Sequence, residues 1–178
     1  MTAKDLKRID SNRKAMKGDL EKQAANIDLW YLKNHLLDVH INVSDRFLRK
    51  RIINDGKSLA SSFLTNDSAL LLNAIKEALN KKSEQDALLY FLALPPEKWE
   101  ATEECPEGAS WYIDFDLPEG VVGHLYKRSH DHNWDDGPIK CAIGTLVIRR
   151  NVKYAEDIFQ RGWSHEEPFV LVTAYAVE

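Results

Sequence analysis

The hydrophobic pattern of this chain changes from a helical period to a strand period around Pro95-Pro96. Before these prolines, which end a helix, apolar residues recur at spacings of three and four and so lie along one helix face. The clearest such stripe consists of Leu20, Ala24, Ile27, Tyr31 and Leu32. After the prolines, residues 111–117 alternate and are rich in aromatic side chains, which is typical of a β-strand. The sequence therefore predicts an α+β fold, with N-terminal helices packed on a C-terminal antiparallel β-sheet.

Polar residues ahead of apolar runs predict where the helices begin. Ser44 is a suitable N-cap for a helix over 46–53, and Asn54-Asp55-Gly56 is typical of its end. The apolar residues between 59 and 64 are interpreted as a continuation of this helical layer. Two further helices are predicted after an Asn66-Asp67-Ser68 cap and at a Ser83/Asp86 pair that resembles a capping box, and they would bury Leu71, Leu72, Ile75, Leu79, Leu88, Leu89, Phe91 and Leu92.

The second half of the chain predicts a small sheet. Its strands are expected over 111–117, 121–127, 139–150 and 169–177, with a bend at Gly144 and a short helix over 154–160. We expect residues 1–94 to form a helical subdomain and residues 95–178 to form a sheet subdomain that carries the site. At this length, the two halves are expected to share one core as a single compact unit.

Charge divides the chain in the same way. Residues 1–94 contain 16 basic and 12 acidic side chains, a balance of +4, whereas residues 95–178 contain 8 and 16, a balance of −8. The densest basic patch suits a polyanionic partner, although a solvated helix face would have the same composition. It consists of Arg46, Arg49, Lys50 and Arg51. The acidic second half opposes nucleic-acid binding, because phosphate contacts need local positive charge.

Targeting signals are not visible in the sequence. No apolar run approaches the roughly 18 residues that span a bilayer, and the N-terminus leads into no secretory signal. Cys105 and Cys141 form neither a CxxC pair nor a disulfide framework. We therefore expect a cytoplasmic protein that does not bind a membrane.

Half of the six histidines lie within nine positions, between two predicted strands. Histidine gives and takes protons near neutral pH, so this segment is a candidate for acid–base chemistry on a phosphate. Metal-independent RNA cleavage needs a base for the 2′-hydroxyl, an acid for the leaving 5′-oxygen and a cation for the charged phosphorane. His124 and His132 supply the first two groups, and period two places Thr173 and Tyr175 on one face of the last strand. The candidate phosphate ligands are Lys127, Arg128, Lys140 and Arg149.

This order of residues resembles that of the EndoU endoribonucleases. His124, then His132-Asn133-Trp134, then a lysine and finally Thr173-Ala174-Tyr175 is similar to the family's His, HNW-like element, Lys and terminal Thr/Ser-x-Tyr. EndoU belongs to a superfamily with barnase, the colicin-type RNases and the RelE-like mRNA interferases, in which helices precede a small antiparallel sheet that carries the site. The predicted helical half, with Leu36-Leu37 and residues 47–51, is also similar to the front of RelE-like phage mRNA endoribonucleases.

The resemblance implies roles for individual residues. His124 and His132 would be the acid–base pair, Lys140 would bind the phosphate, and Thr173 and Tyr175 would position a base. Lys153 is a second candidate for the family's lysine. Under this hypothesis the partner is RNA, which would lie between the basic patch and the sheet, and no cofactor or metal is required.

Two alternatives stay open at this point. A metal site is the first, because imidazole and carboxylate ligands crowd one segment, although no HExxH motif is present. Its ligands would be drawn from His124, His130, Asp131, His132, Asp135 and Asp136. The second is a non-enzymatic binding or inhibitor protein, of immunity or phage type, whose acidic sheet binds a basic protein partner.

Overall fold

The computed structural model describes residues 1–27, 40–128 and 138–178. The helices of this part are α1 (Ala3–Asn26), α2 (Asp45–Asn54), α3 (Ser68–Asn80), α4 (Lys82–Ala93) and α5 (Val152–Arg161). The strands are β1 (Leu59–Thr65), β2 (Trp111–Asp116), β3 (Val121–Lys127), β4 (Ile139–Cys141), β5 (Ile143–Arg150) and β6 (Phe169–Val177). They form two antiparallel sheets of order β1-β3-β4 and β2-β5-β6, and this confirms the predicted α+β class.

The chain divides into two compact units, each assembled from three segments. Unit 1 consists of Met1–Ile27, Lys76–Ile113 and Val147–Val172. Unit 2 consists of Asp28–Ile75, Asp114–Leu146 and Thr173–Glu178. The sequence predicts a subdomain boundary between residues 94 and 95, where the hydrophobic period changes. This boundary stays a prediction.

In unit 1, α1 supplies a long apolar face. The helix begins with a capping box in which the Thr2 hydroxyl accepts from the Asp5 N–H and the Asp5 carboxylate accepts from the Thr2 N–H. The predicted stripe is buried at Leu20, Ala24 and Ile27. Its last two members, Tyr31 and Leu32, lie outside the described residues.

A buried arginine joins α4 to the loop before β2 in the same unit. The Arg150 guanidinium, on a residue that is 4% exposed, donates to the carbonyl oxygens of Phe91 (2.9 Å) and Glu107 (3.1 Å). It also lies 3.5 Å from the centroid of the Phe91 ring, a cation–π contact. Burial lowers the pKa of Arg150 to about 10. Backbone carbonyls and an aromatic face therefore contact this cation where we would expect a carboxylate, and its Nε atom has no hydrogen-bond partner in the described part of the chain.

In unit 2, β3 is the central strand and α2 packs on one face of its sheet. Leu48 and Ile52 of α2 form a buried cluster with Ala60 of β1 and Tyr126 of β3. On the opposite face Gly123 lets β6 approach closely, since a Cβ atom there would lie 2.7 Å from that of Ala176. The helix and β6 thus cover the two faces of β3.

Most of the predicted elements are confirmed. Ser44 caps α2 by accepting from the Phe47 N–H, and α4 ends at Ala93, just before the two prolines. The apolar positions predicted for α4 are buried, as are those for α3, apart from the half-buried Leu72. The strands β2, β3 and β6 and the helix α5 lie where alternation and period placed them.

Three predictions about local structure are wrong. Residues 59–65 form the strand β1 rather than a helical continuation, because short apolar runs carry no period that separates the two. The Ser83/Asp86 pair is not a capping box, since α4 begins after Lys81, which makes no side-chain cap bond. The expected strand over 139–150 is divided into β4 and β5, which belong to different sheets.

The division between β4 and β5 occurs at Ala142 rather than at Gly144. The Ala142 carbonyl oxygen accepts a hydrogen bond from the Leu117 N–H (2.8 Å). Ala142 therefore does not continue the pairing of β4 with β3. Gly144 instead lies inside β5, against the ring of Phe115. Within the described ranges, none of the helices is long and apolar enough to span a membrane.

Candidate functional site

The strand register of unit 2 places two predicted site residues and a serine in one row. His124 lies on the central strand β3, directly opposite Lys140 on β4 and Ser62 on β1. Cross-strand partners point to the same face of an antiparallel sheet. From the sequence, His124 is predicted to be one member of an acid–base pair and Lys140 to bind the phosphate, and the register shows that their strands are adjacent. An imidazole and an ammonium group therefore share one face of the sheet.

The imidazole of His124 lies beside a carboxylate. Its Nδ1 atom is 3.7 Å from Oδ1 of Asp45, the first residue of α2, and the His124 side chain is 16% exposed. Nδ1 is buried and has no hydrogen-bond partner in the described part of the chain. At 3.7 Å the contact between the carboxylate and the imidazole is electrostatic and is too long to be a hydrogen bond.

Asp45 was not a candidate from the sequence, where it was read as part of a helix N-terminus. The Ser44 cap fixes where α2 begins, and α2 packs on the His124 face through Leu48 and Ile52. The helix start therefore carries the Asp45 carboxylate to β3. No sequence signal at Asp45 could have shown this, since the contact depends on how a helix and a strand pack.

Helix α2 also carries the predicted basic patch, and the structure divides that patch between two cavities. Arg46, Arg49 and Lys50 line a groove of about 390 Å³ together with Ile53 and Asn54. The Arg49 guanidinium also lies 5.4 Å from the ring centroid of Tyr126. Burial raises the pKa of the Tyr126 hydroxyl, and the Asp45 carboxylate raises it further. Arg51, the fourth member, lines a different cavity.

That second cavity measures about 370 Å³. It is lined by His40, Arg51, Leu59, Ala60, Ser61 and Tyr175. Tyr175 was expected to position a base, and the structure brings it to this cavity in unit 2. His40 is not among the candidates from the sequence, because a lone histidine with no motif around it gives no functional signal. The structure shows it buried beside β1, with Nδ1 3.2 Å from the Ser61 carbonyl oxygen.

The other predicted phosphate ligands lie elsewhere. Lys127 forms an ion pair with Glu178 and points away from the His124 face. Arg128 is exposed, and its backbone N–H donates to the Ser58 carbonyl oxygen. Thr173 is half-buried, with its hydroxyl 3.5 Å from the Ala174 carbonyl oxygen.

The two remaining cations belong to unit 1. Arg149 donates to the Glu107 carboxylate (2.8 Å) and to the Ser110 hydroxyl (3.3 Å). The backbone N–H of Glu107 lowers the pKa of that carboxyl, and Arg149 lowers it further. Lys153, the second candidate for the family's lysine, is paired with Glu166.

His132, the second predicted catalytic histidine, lies outside the described residues. The same is true of His130, Asp131, Asp135 and Asp136, so the acid–base pair and the alternative metal site both stay predictions. Among the residues that the structure does describe, no three His, Cys, Asp or Glu side chains are grouped so that they could hold a metal.

Comparison with protein-family models, with curated proteins and with solved structures returns no match to this chain. The evidence for its function is therefore the chemistry of the His124 face and of the two cavities that residues of α2 line. The EndoU-like order of residues remains a resemblance in sequence.

Proposed function

We propose that this chain is a metal-independent endoribonuclease that cleaves RNA through a 2′,3′-cyclic phosphate. The observation that carries the proposal is the row of His124 and Lys140 on adjacent strands, with the Asp45 carboxylate 3.7 Å from the imidazole. The row supplies a proton acceptor and a cation, two of the three parts that this reaction needs, and the carboxylate lies beside the proton acceptor.

Each step of the proposed cleavage uses one side chain of the site. The His124 imidazole takes the proton of the 2′-hydroxyl, and the 2′-oxygen then forms a bond to phosphorus. The bond from phosphorus to the 5′-oxygen breaks, and that oxygen receives a proton from a second acid, for which His132 is the candidate from the sequence. Lys140 stabilises the additional negative charge on the phosphorane while the two bonds exchange.

The cations of α2 support the choice of RNA as substrate. Arg46, Arg49 and Lys50 line a groove on the helix whose first residue, Asp45, lies beside His124. A strand of phosphates bound by these side chains would run past the imidazole. The acidic second half of the chain opposes the binding of phosphates. This objection is weaker at His124, since the predicted basic patch lies in the same unit.

The proposal is tested by cleavage of total RNA with the full chain, in the presence and absence of EDTA. His124→Ala should lower kcat by about 10²- to 10⁴-fold, the contribution of a positioned base, and EDTA should have no effect. The matched control is His165→Ala, which removes an exposed imidazole in unit 1 and should leave the rate unchanged. Cleavage that EDTA abolishes would instead favour the metal hypothesis.

A second variant separates positioning from folding. Asp45→Asn keeps the shape of the side chain but removes the charge beside Nδ1, so it should lower kcat and leave KM nearly unchanged. Ser44→Ala is its control: it weakens the cap of α2 by about 1 kcal/mol but leaves the carboxylate in place. Equal losses of kcat in the two variants would show that Asp45 acts only through the helix.

A non-enzymatic binding protein is the second candidate, and one observation favours it. The loop of unit 1 that precedes β2 exposes Glu100, Glu103 and Glu104, which form an acidic surface suited to a basic protein partner. If well-folded protein cleaves none of a diverse set of RNAs, this candidate becomes the better account of the chain.

A further inference from the structure

The basic groove on α2 contains an apolar side chain that faces solvent. Ile53 lines this groove of about 390 Å³ and is 52% exposed. The packing of α2 on its sheet uses Leu48 and Ile52 instead, which are buried on the opposite side of the helix. Ile53 is therefore accessible to a ligand in the groove, and a change at this position leaves the buried face of α2 intact.

Positive charge flanks Ile53 along the helix. Arg46, Lys50 and Ile53 follow one another at spacings of four and three residues, so their side chains lie on one face of α2. Arg46 and Lys50 are exposed, and neither forms a salt bridge with a described residue. Arg49 adds a third cation to the lining. Charge complementarity therefore favours an anionic occupant of this groove.

The end of the helix adds a polar group of a different kind. Asn54 is exposed and completes the lining of the groove beside Ile53. Its side-chain amide can donate and accept hydrogen bonds at the same time, which is what the edge of a nucleobase requires. The groove thus offers cations for phosphates, an apolar surface for the face of a base and an amide for its edge.

We propose that the α2 groove binds one unpaired base of a single-stranded RNA. The face of the base lies on Ile53, and its edge meets the Asn54 amide. Arg46 and Lys50 bind the adjoining phosphates. The inference rests on the proposed function for its choice of RNA. Ile53 follows Asp45 at a distance of about 12 Å along α2, at a rise of about 1.5 Å per residue, so the bound base belongs to a neighbour of the cleaved nucleotide.

Calorimetric titration of the full chain tests the proposal with two strands that cannot be cleaved. One is a single-stranded deoxyoligonucleotide, which lacks the 2′-hydroxyl, and the other has the same sugars and phosphates but carries no bases. The wild-type protein should bind the base-free strand about fivefold or more weakly, the loss of one base contact. Equal affinities for the two strands would show that the groove contacts phosphates alone and would overturn the proposal.

Ile53→Ser assigns the base contact to this groove. The variant should bind the deoxyoligonucleotide about threefold to tenfold more weakly, because less apolar surface leaves water on binding, and its affinity for the base-free strand should not change. The salt dependence should also stay the same, because an apolar side chain releases no counterion. Leu6→Ser is the matched control, since Leu6 is 49% exposed on α1 in unit 1. Equal losses for the two strands, or for the two variants, would overturn the proposal.

Asn54→Ala tests the contact with the edge of the base. The variant should bind the deoxyoligonucleotide about threefold more weakly, the range of one neutral hydrogen bond, and the base-free strand as tightly as the wild type. An equal loss for both strands would show that Asn54 acts through the end of α2 and would remove it from the site.

A further probe and the cleavage assay complete the test. Hexaglutamate matches the charge of a short strand but has no bases, and it should bind at least tenfold more weakly than the deoxyoligonucleotide. An equal affinity would make an acidic protein segment the ligand and overturn the proposal. Base-dependent binding by protein that cleaves no RNA would remove the proposed function and leave this site intact, whereas cleavage without base-dependent binding would do the reverse.

Discussion

Asn42 and Thr65 are joined by two hydrogen bonds that tie the segment before α2 to the end of β1. The Asn42 Nδ2 atom donates to the Thr65 carbonyl oxygen (2.8 Å), and the Thr65 N–H donates to Asn42 Oδ1 (2.9 Å). The backbone joins the same two segments, since the Phe63 N–H donates to the His40 carbonyl oxygen (2.6 Å). This clamp fixes His40 against β1 and therefore shapes the cavity that contains Ser61.

We expect Asn42→Ala to lower the free energy of unfolding by about 2–3 kcal/mol. Two hydrogen bonds of about 1 kcal/mol each are lost, and alanine must adopt the left-handed backbone of this position, where φ is 51°. Asn42→Gly loses the same bonds but tolerates the backbone, so it should destabilise less. Urea unfolding measures both values, and equal losses would show that the backbone conformation carries no cost.

The cations of α2 should determine how RNA binding depends on salt. Each phosphate contact on a single strand adds about 0.7 to the slope of log K against log salt. Arg46→Gln and Lys50→Gln should each reduce the magnitude of that slope by about this amount, measured with an uncleavable oligonucleotide. Lys14→Gln and Lys17→Gln on the exposed face of α1 are the controls. A slope unchanged in all four variants would contradict binding along α2.

Helix caps and strand alternation were enough to predict most elements, whereas β1 and the division of 139–150 needed tertiary information. Ser61, Ser62 and Phe63 are all buried, so β1 lacks the alternation that identifies a strand with one solvated face. The break at Ala142 depends on a hydrogen bond from Leu117, which is 25 positions away in sequence. Neither feature leaves a local pattern that a reader of the sequence could use.

The candidate site shows the same limit. His124 and Lys140 could be chosen from the sequence because their residue types suit the chemistry, and the register then shows them to be neighbours. Asp45 and His40 could not be chosen, because their roles depend on where α2 and the edge of β1 lie. Residue type indicates which side chains are capable of a reaction, whereas packing decides which of them meet.

Gly144 should not tolerate a side chain. A Cβ atom at this position would lie 2.5 Å from Cζ of Phe115, whose ring is itself buried. We expect Gly144→Ala to lower the free energy of unfolding by about 1–3 kcal/mol, the usual cost of overpacking a core. Phe115→Leu introduced with it should recover part of that loss. A double-mutant cycle measures the coupling, and additive effects would show that β5 shifts to accommodate the methyl group.

Tyr154 should make the stability of the fold sensitive to alkaline pH. Tyr154 is 1% exposed, and its hydroxyl donates to Asp19 Oδ2 (2.8 Å). Burial raises the pKa of this phenol well above its usual value of 10, and the Asp19 carboxylate raises it further. Since the folded pKa is raised, the stabilisation is complete below pH 10. It declines at higher pH, where the unfolded chain loses the proton that the folded chain retains.

Tyr154→Phe tests this dependence. The variant should lose about 1–3 kcal/mol of unfolding free energy at neutral pH, because a hydrogen bond to a carboxylate is removed. Between pH 10 and about pH 11, the wild-type protein should lose up to about 1.4 kcal/mol more than the variant, the value of one proton over one pH unit. Tyr112→Phe is the control, since that ring is 57% exposed. Guanidinium unfolding at neutral pH, at pH 10 and at about pH 11 measures the difference in unfolding free energy. Equal losses of unfolding free energy in the wild type and in Tyr154→Phe would show that another group, such as Tyr126, causes the alkaline dependence.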